Sequence, residues 1–81
     1  MKIYKLEQTD NNGYDTFDSI IVCAKNEEDA RLITPDELHP VGDGYRFTTW
    51  AKQHENIICE EIGEANEKQE RGIILGSFNS G

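Results

Sequence analysis

The sequence predicts a small α+β domain in the order β-β-α-β-β, with a four-stranded, mainly antiparallel sheet and one short helix packed on one face. Three observations support this fold class. Four short apolar runs alternate with polar segments, one segment carries the signals of a helix start, and 81 residues leave room for one small core. We therefore expect residues 1–81 to form a single α+β domain.

The first two predicted strands occupy residues 2–7 and 19–24. The second is a continuous run with the β-branched residues Ile20, Ile21 and Val22 at its centre, which is typical of a strand deep in a sheet. Between them, residues 9–13 contain Asn and Gly, which favour turns. The two strands are therefore expected to form a hairpin with a long connection.

The third and fourth predicted strands occupy residues 57–62 and 72–78. The polar and charged segment 63–71 between them is predicted to be a hairpin loop.

The helix is predicted to begin after Asn26, whose side chain can cap the first turn. The acidic residues at 27–29 would lie in the first turn, where the positive end of the helix dipole stabilises negative charge. Pro35 disfavours helical geometry at the residue before it, so the helix should end near there. Ala30 and Ile33 are expected to face the sheet.

Residues 36–54 lack a regular pattern, and a segment of this length is either functional or partly packed on the core. A single helical turn is expected at residues 48–53. Trp50 is open to two interpretations, as a core residue or as an interface residue.

The chain carries sixteen acidic and eight basic residues, a net charge of −8. This charge repels nucleic-acid phosphates and anionic membranes, so direct binding to either is not expected. It favours a partner protein with a basic surface, although acidity also keeps small proteins soluble. The N-terminus lacks the apolar core of a signal peptide, and no stretch is long enough to span a membrane, so we expect a cytoplasmic protein.

Metal chemistry is not predicted. Cys23, His39, His54 and Cys59 are ligand types that zinc accepts, but no C-x₂-C pair occurs and both Cys lie in predicted strands. We therefore expect reduced, buried thiols and no cofactor. The oxygen-rich segment 10–15 lacks the EF-hand pattern and is interpreted as a turn.

Enzymatic activity is not predicted either. Asp15 and Asp18 could act as an acid and a base, but no further catalytic group can be placed near them. A cysteine nucleophile is disfavoured because a thiol inside an apolar run is inert.

Short polar side chains at strand ends suggest another role. We expect Asp15, Thr16, Asp18 and Asn79 to form a hydrogen-bonded cluster that closes one end of the sheet. Exposed polar and aromatic residues are also the best candidates for contacting a partner. The candidate binding residues are Tyr14, Asp15, Asp18, Tyr45, Trp50 and Asn79.

Several segments together resemble a family of small uncharacterised bacteriophage and prophage proteins. The resemblance rests on the motif at residues 13–19, the acidic helix start at 27–31 that closes on Pro35, and the segments 62–65 and 72–81. It covers almost the whole chain except its middle. It implies a mobile-element protein that acts in the cytoplasm of a bacterial host.

The departures from the family pattern are few. Phe17 stands where Tyr is usual, Gly76 and Ser80 stand where Ala is usual, and Thr34 replaces a His before Pro35. The last change weakens any role for a histidine at that position.

Two functions remain open at this point. The first is a small acidic interaction module that binds, and can inhibit, a host protein. The alternative is a small-molecule or nucleotide-binding domain that works as a homo-oligomer, because a site between subunits would supply the concavity that one small chain lacks. A homodimer is compatible with either.

Overall fold

The structure, a computed structural model, describes residues 1–79. Its strands are β1 (Lys2–Gln8), β2 (Thr16–Ala24), β3 (Ile57–Glu64) and β4 (Gly72–Asn79), and its helix is α1 (Glu27–Arg31). Within the described residues the strands form one sheet in the order β3-β1-β2-β4, with every neighbouring pair antiparallel. The predicted fold class and element order are confirmed, and residues 80 and 81 lie outside the described part of the domain.

The hairpin predicted for the first two strands is present, with Tyr4 opposite Val22 and Leu6 opposite Ile20. β2 begins at Thr16, earlier than predicted, because its first residues pair with the end of β4. The pairing is irregular between Phe17 and Ser19, so the segment around Asp18 bulges from the regular ladder.

The second predicted hairpin is wrong, because β3 and β4 lie at opposite edges of the sheet. Segment 65–71 crosses the end of the sheet where β1 starts and β2 ends. There the Ala65 N–H donates to the Met1 carbonyl at 3.1 Å, and the Cys23 Sγ lies 3.9 Å from the Gln69 carbonyl oxygen. This crossing places β1 and β2, the two strands with the most buried side chains, in the centre, where each has a neighbour on both sides.

The helix begins as predicted. The Asn26 side chain accepts a hydrogen bond from the Asp29 N–H at 2.8 Å, and the Asp29 carboxylate accepts one from the Lys25 N–H at 3.1 Å. The carboxylate also pairs with Arg71 at 2.9 Å, which ties the crossing segment to the helix. The helix ends at Arg31, before the Pro35 constraint applies.

The core lies between one face of the sheet and a layer made of α1 and the segment that follows it. From the sheet come Tyr4, Leu6, Ile20, Val22, Ala24 and Ile57, and from the covering layer come Ala30, Ile33, Trp50 and Ala51. The opposite face of β1 carries Ile3, Lys5 and Glu7, all only partly buried, and the Lys5 ammonium pairs with the Glu7 carboxylate at 2.6 Å.

No helix among residues 1–79 combines the length and apolar character that crossing a membrane requires.

Candidate functional site

Residues 36–53, called here the 36–53 loop, cover the sheet without forming a helix or strand of their own. The turn predicted at 48–53 is absent, and a short 3₁₀ turn at His54–Asn56 precedes β3 instead. The loop turns Trp50 inward and Tyr45 and Phe47 outward: Trp50 is 0% exposed, whereas Phe47 is 70% exposed. Its geometry therefore decides both the packing of the core and the character of one surface.

Gln8 and Asn11 fix the C-terminal part of this loop. The Gln8 side chain donates to the Phe17 carbonyl at 2.7 Å and exchanges two hydrogen bonds with the Asn11 main chain. The Asn11 side-chain amide then donates to the carbonyls of Thr48 at 2.7 Å and Trp50 at 2.8 Å. The β1–β2 connection thus satisfies backbone groups of the loop that the sheet cannot reach.

Asp10 fixes the following residues. Its carboxylate accepts hydrogen bonds from the main-chain N–H groups of Lys52 and Gln53, each at 3.0 Å, and from the Asn56 amide at 3.1 Å. Asp10 belongs to the oxygen-rich segment 10–15, which resembles a calcium-binding loop in composition but was predicted to be a turn. In the structure its carboxylate is engaged by these hydrogen bonds.

Asp36 holds the loop from its N-terminal side. One carboxylate oxygen accepts from the Thr48 hydroxyl at 3.1 Å and from the Thr49 N–H at 2.9 Å. Burial by itself would raise the pKa of Asp36, but these two hydrogen bonds stabilise the carboxylate and leave its pKa below the usual value. Asp36 is therefore a buried anion whose partners are loop groups.

The outward side of the loop carries stacked aromatic rings. The His39 and Tyr45 rings lie parallel with their centroids 3.6 Å apart, and Phe47 meets Tyr45 edge to face at 6.0 Å. The Arg46 guanidinium lies 5.0 Å from the centre of the Phe47 ring, within cation–π range.

Tyr14, 78% exposed, lies across an open cleft of about 360 Å³ that Arg46, Phe47 and Asp15 also line. We call the set Tyr14, His39, Tyr45, Arg46 and Phe47 the aromatic patch.

A second cavity, of about 250 Å³, is lined by Tyr45 and Arg46. Lys52, Gln53, Pro40 and Ala51 complete much of its wall. Neither Arg46 nor Lys52 forms a salt bridge within residues 1–79.

The predicted polar cluster at the end of the sheet is present in part. The Thr16 hydroxyl donates to the Gly13 carbonyl at 2.7 Å, and the Asn79 amide donates to the same carbonyl at 3.3 Å. Asp15 takes part through its main chain, whose N–H donates to the Asn79 carbonyl at 2.7 Å. The Asp18 side chain is exposed, and among residues 1–79 its one hydrogen bond is accepted from the Ser19 hydroxyl at 3.3 Å. Asp18 therefore does not join the other three residues of the predicted cluster.

Trp50 does not belong to the candidate binding surface. It is the largest fully buried side chain of the described residues, so of its two interpretations the core one is correct. A small domain needs a large side chain to fill the space between sheet and covering layer, and Trp50 supplies it. Of the other candidates, Tyr14 and Tyr45 belong to the aromatic patch, Asp15 lines the same cleft as Tyr14, and Asn79 lies at the adjacent end of the sheet.

The cysteines are free. Cys23 on β2 and Cys59 on β3 are separated by β1, and two strand spacings amount to roughly 9–10 Å, too far for a disulfide. Cys23 is buried as expected, whereas Cys59 is only partly buried, and burial raises the pKa of the Cys59 thiol. Across residues 1–79 no three side chains of His, Cys, Asp or Glu are grouped so that they could hold a metal ion.

Sequence reasoning missed Arg46 as a member of the patch and Gln8, Asn11 and Asp36 as its supports. Gln8 occupies a position where the alternation of β1 places its side chain on the covered face, and a buried amide needs partners. That alternation was the one available signal.

Comparison with known proteins gives no similarity on which to build: no protein-family model, curated protein or solved structure matches this chain significantly.

Proposed function

We propose that this chain is a small interaction module that binds a protein through the aromatic patch. The observation that carries the proposal is the exposed, mutually packed set Tyr45, Arg46 and Phe47. Tyr, Phe and Arg are enriched at protein interfaces, where a few such side chains supply much of the binding energy.

The patch is held in place before any partner arrives. Trp50 anchors the loop in the core, while Asn11 and Asp36 bond its main chain from two sides. Fixing a loop in advance removes part of the entropic cost that binding would otherwise carry.

The net charge of −8 supports a basic partner surface. A long-range attraction of this kind speeds association and weakens as salt rises. The resemblance to bacteriophage and prophage proteins supplies the setting, in which the partner is a protein of the bacterial host and binding can inhibit it.

The test is affinity capture from bacterial lysate with the wild-type chain, Tyr45→Ala and Phe47→Ala. We expect the wild type to retain one stoichiometric protein at low salt, less of it at high salt, and each variant to retain at least tenfold less. The purified partner should then bind in calorimetry with the same ranking.

Leu32→Ala is the matched control, since Leu32 is 66% exposed and lies outside the patch. It should bind like the wild type. Capture of no protein at low salt, or of a protein that both patch variants retain fully, would refute the proposal.

The cavity beside Tyr45 favours a second candidate, a site for a small anion that carries a ring, such as a nucleotide. Arg46 and Lys52 would face the anion, and Tyr45 the ring. Its volume of about 250 Å³ is below the range of about 300–1,000 Å³ typical of ligand pockets, which is why we place this function second. Chemical-shift changes at Lys52 on addition of nucleoside phosphates would raise it above protein binding.

A further inference from the structure

β4 is an edge strand with an unusually open surface. Its residues from Ile73 to Asn79 are all exposed. Among its apolar side chains Leu75 is 66% exposed, Phe78 46%, and Ile73 and Ile74 slightly less than that. One side of its backbone pairs with β2, and the other side presents N–H and C=O groups beside which no strand lies within the described part of the chain.

The two edges of the sheet differ in charge. β3, at the other edge, carries Glu60, Glu61 and Glu64 along its length. Charged side chains of this kind are a common protection against pairing with another strand. β4 contains no charged residue and no proline, so nothing in its composition prevents such pairing.

We propose that β4 pairs antiparallel with β4 of a second copy of this chain, which joins the two sheets into one of eight strands. The contact is isologous, so the same strand serves both sides and a two-fold axis passes near its middle. This inference is independent of the aromatic patch, which lies on the loop layer.

Charge repulsion disfavours most contacts between two copies of the chain, but not a contact through β4. Two chains of net charge −8 repel each other across most of their surface. Pairing through β3 would set its Glu residues against those of the other copy, which destabilises a sheet. Pairing through β4 brings no formal charge of either strand into the contact.

Surface area points the same way. The accessible surface is 5366 Å², whereas a folded monomer of 9.2 kDa is expected to expose about 4,900 Å². The exposed apolar side chains of β4 contribute to this excess of about 400 Å². A strand of eight residues is roughly 27 Å long, enough to add backbone pairing to that apolar contact.

Leu75 is the residue most affected by such pairing. It lies opposite Ile21 on β2 and next to the centre of β4. A two-fold axis near the centre of β4 brings the Leu75 side chains of the two copies close together. Each Leu75 side chain then covers part of the apolar surface of the other.

The test is sedimentation equilibrium of the 81-residue chain. We expect 2 × 9.2 = 18.4 kDa at micromolar concentration. Leu75→Lys should sediment as a 9.2 kDa monomer, because it sets two ammonium groups against each other across the axis. Ser77→Lys, at another exposed position of β4, gives the same readout if Leu75→Lys fails to fold.

Ile62→Lys is the matched control, since Ile62 is 50% exposed on β3 at the opposite edge, and it should remain a dimer. Amide exchange adds a local readout: main-chain N–H groups of β4 should exchange at least tenfold more slowly in the wild type than in a folded Lys variant. A wild-type monomer at the same micromolar concentration, a species larger than a dimer, or a folded Lys variant that stays dimeric would overturn the proposal.

Discussion

Gln8 and Asn11 bind each other reciprocally, with the Gln8 amide oxygen accepting from the Asn11 N–H at 2.9 Å and the Gln8 amide nitrogen donating to the Asn11 carbonyl at 2.8 Å. This pair orients the Asn11 side chain toward the carbonyls of Thr48 and Trp50. A connection between two strands thereby controls the position of a loop almost forty residues further along the chain, the separation of Asn11 and Trp50 being 39 residues.

Replacing Asn11 by Ala should therefore destabilise the fold. The variant leaves two partly buried carbonyls without a donor, and such losses cost about 1–3 kcal/mol. The free energy of unfolding, measured by urea denaturation, should fall by that amount.

Asn12→Ala is the control for this change. Asn12 is exposed, and such substitutions usually alter stability by less than about 0.5 kcal/mol. Equal stabilities for the two variants would show that the Asn11 bonds do not hold the loop.

Trp50→Ala should be the most destabilising single change in the core. The side chain is 0% exposed and is the only Trp of the chain, and removing a buried aromatic costs about 3–5 kcal/mol. Loss of the folded signal in circular dichroism at 37 °C is the expected readout.

Trp50→Phe tests the packing more finely. The Trp50 Nε1–H finds no hydrogen-bond partner among the described residues, so replacing the indole removes an unsatisfied buried donor along with some volume. The gain of about 1–3 kcal/mol from the donor offsets much of the packing loss. A Phe variant as unstable as the Ala variant would contradict this account.

The sequence was sufficient for the local elements but not for the sheet order. Asn26 and the acidic residues after it defined the helix start, because capping depends only on neighbours in the chain. The position of β3 and β4 at opposite edges depends on which surfaces the central strands must bury. The sequence of segment 63–71 does not indicate that it crosses from one edge to the other. Proximity along the chain therefore suggested a hairpin that does not form.

For the candidate site, too, the sequence predicted properties of single residues but not the contacts between residues distant in the chain. Tyr14 and Tyr45 were predicted as surface residues because their rings are amphipathic, a property of the residue itself. The stack of Tyr45 on His39 and the burial of Trp50 depend on how the loop is tied to Asn11 and Asp36, and bonds so distant in sequence leave no local pattern.

Asp36 should make part of the stability depend on acid. Its folded-state pKa lies below its value in the unfolded chain, about 3.9, so the unfolded state binds the proton more readily. The stabilisation is complete above that value and is lost as pH falls through the lower, folded-state pKa. The urea midpoint of the wild type should therefore decline below about pH 4.

Asp36→Asn should make the urea midpoint fall less steeply below about pH 4, because the Asn amide does not bind a proton in this range. Some decline should remain, because the Lys25 N–H and Arg71 also hold the pKa of Asp29 below its usual value. Asp18→Asn, a change at an exposed carboxylate, should keep the wild-type curve. Identical curves for the wild type and Asp36→Asn would exclude the role assigned to Asp36.

Gly76 leaves room for the ring of Phe17. A Cβ at position 76 would lie 2.9 Å from the Phe17 Cε1 and 3.5 Å from the Ile20 Cγ2. The ring also meets Phe78 edge to face, with the two centroids 4.8 Å apart. Overpacking costs about 1–3 kcal/mol, whereas replacing Gly by Ala in a strand gains about 0.5–1 kcal/mol. Gly76→Ala should therefore lower the free energy of unfolding by about 1 kcal/mol.

In a Phe17→Leu background the same substitution should become stabilising, because the smaller side chain leaves space for the methyl group and only the gain in strand propensity remains. The two Gly76→Ala effects should thus have opposite signs in a double-mutant cycle. Equal effects in both backgrounds would mean that the cost at position 76 does not come from the Phe17 ring.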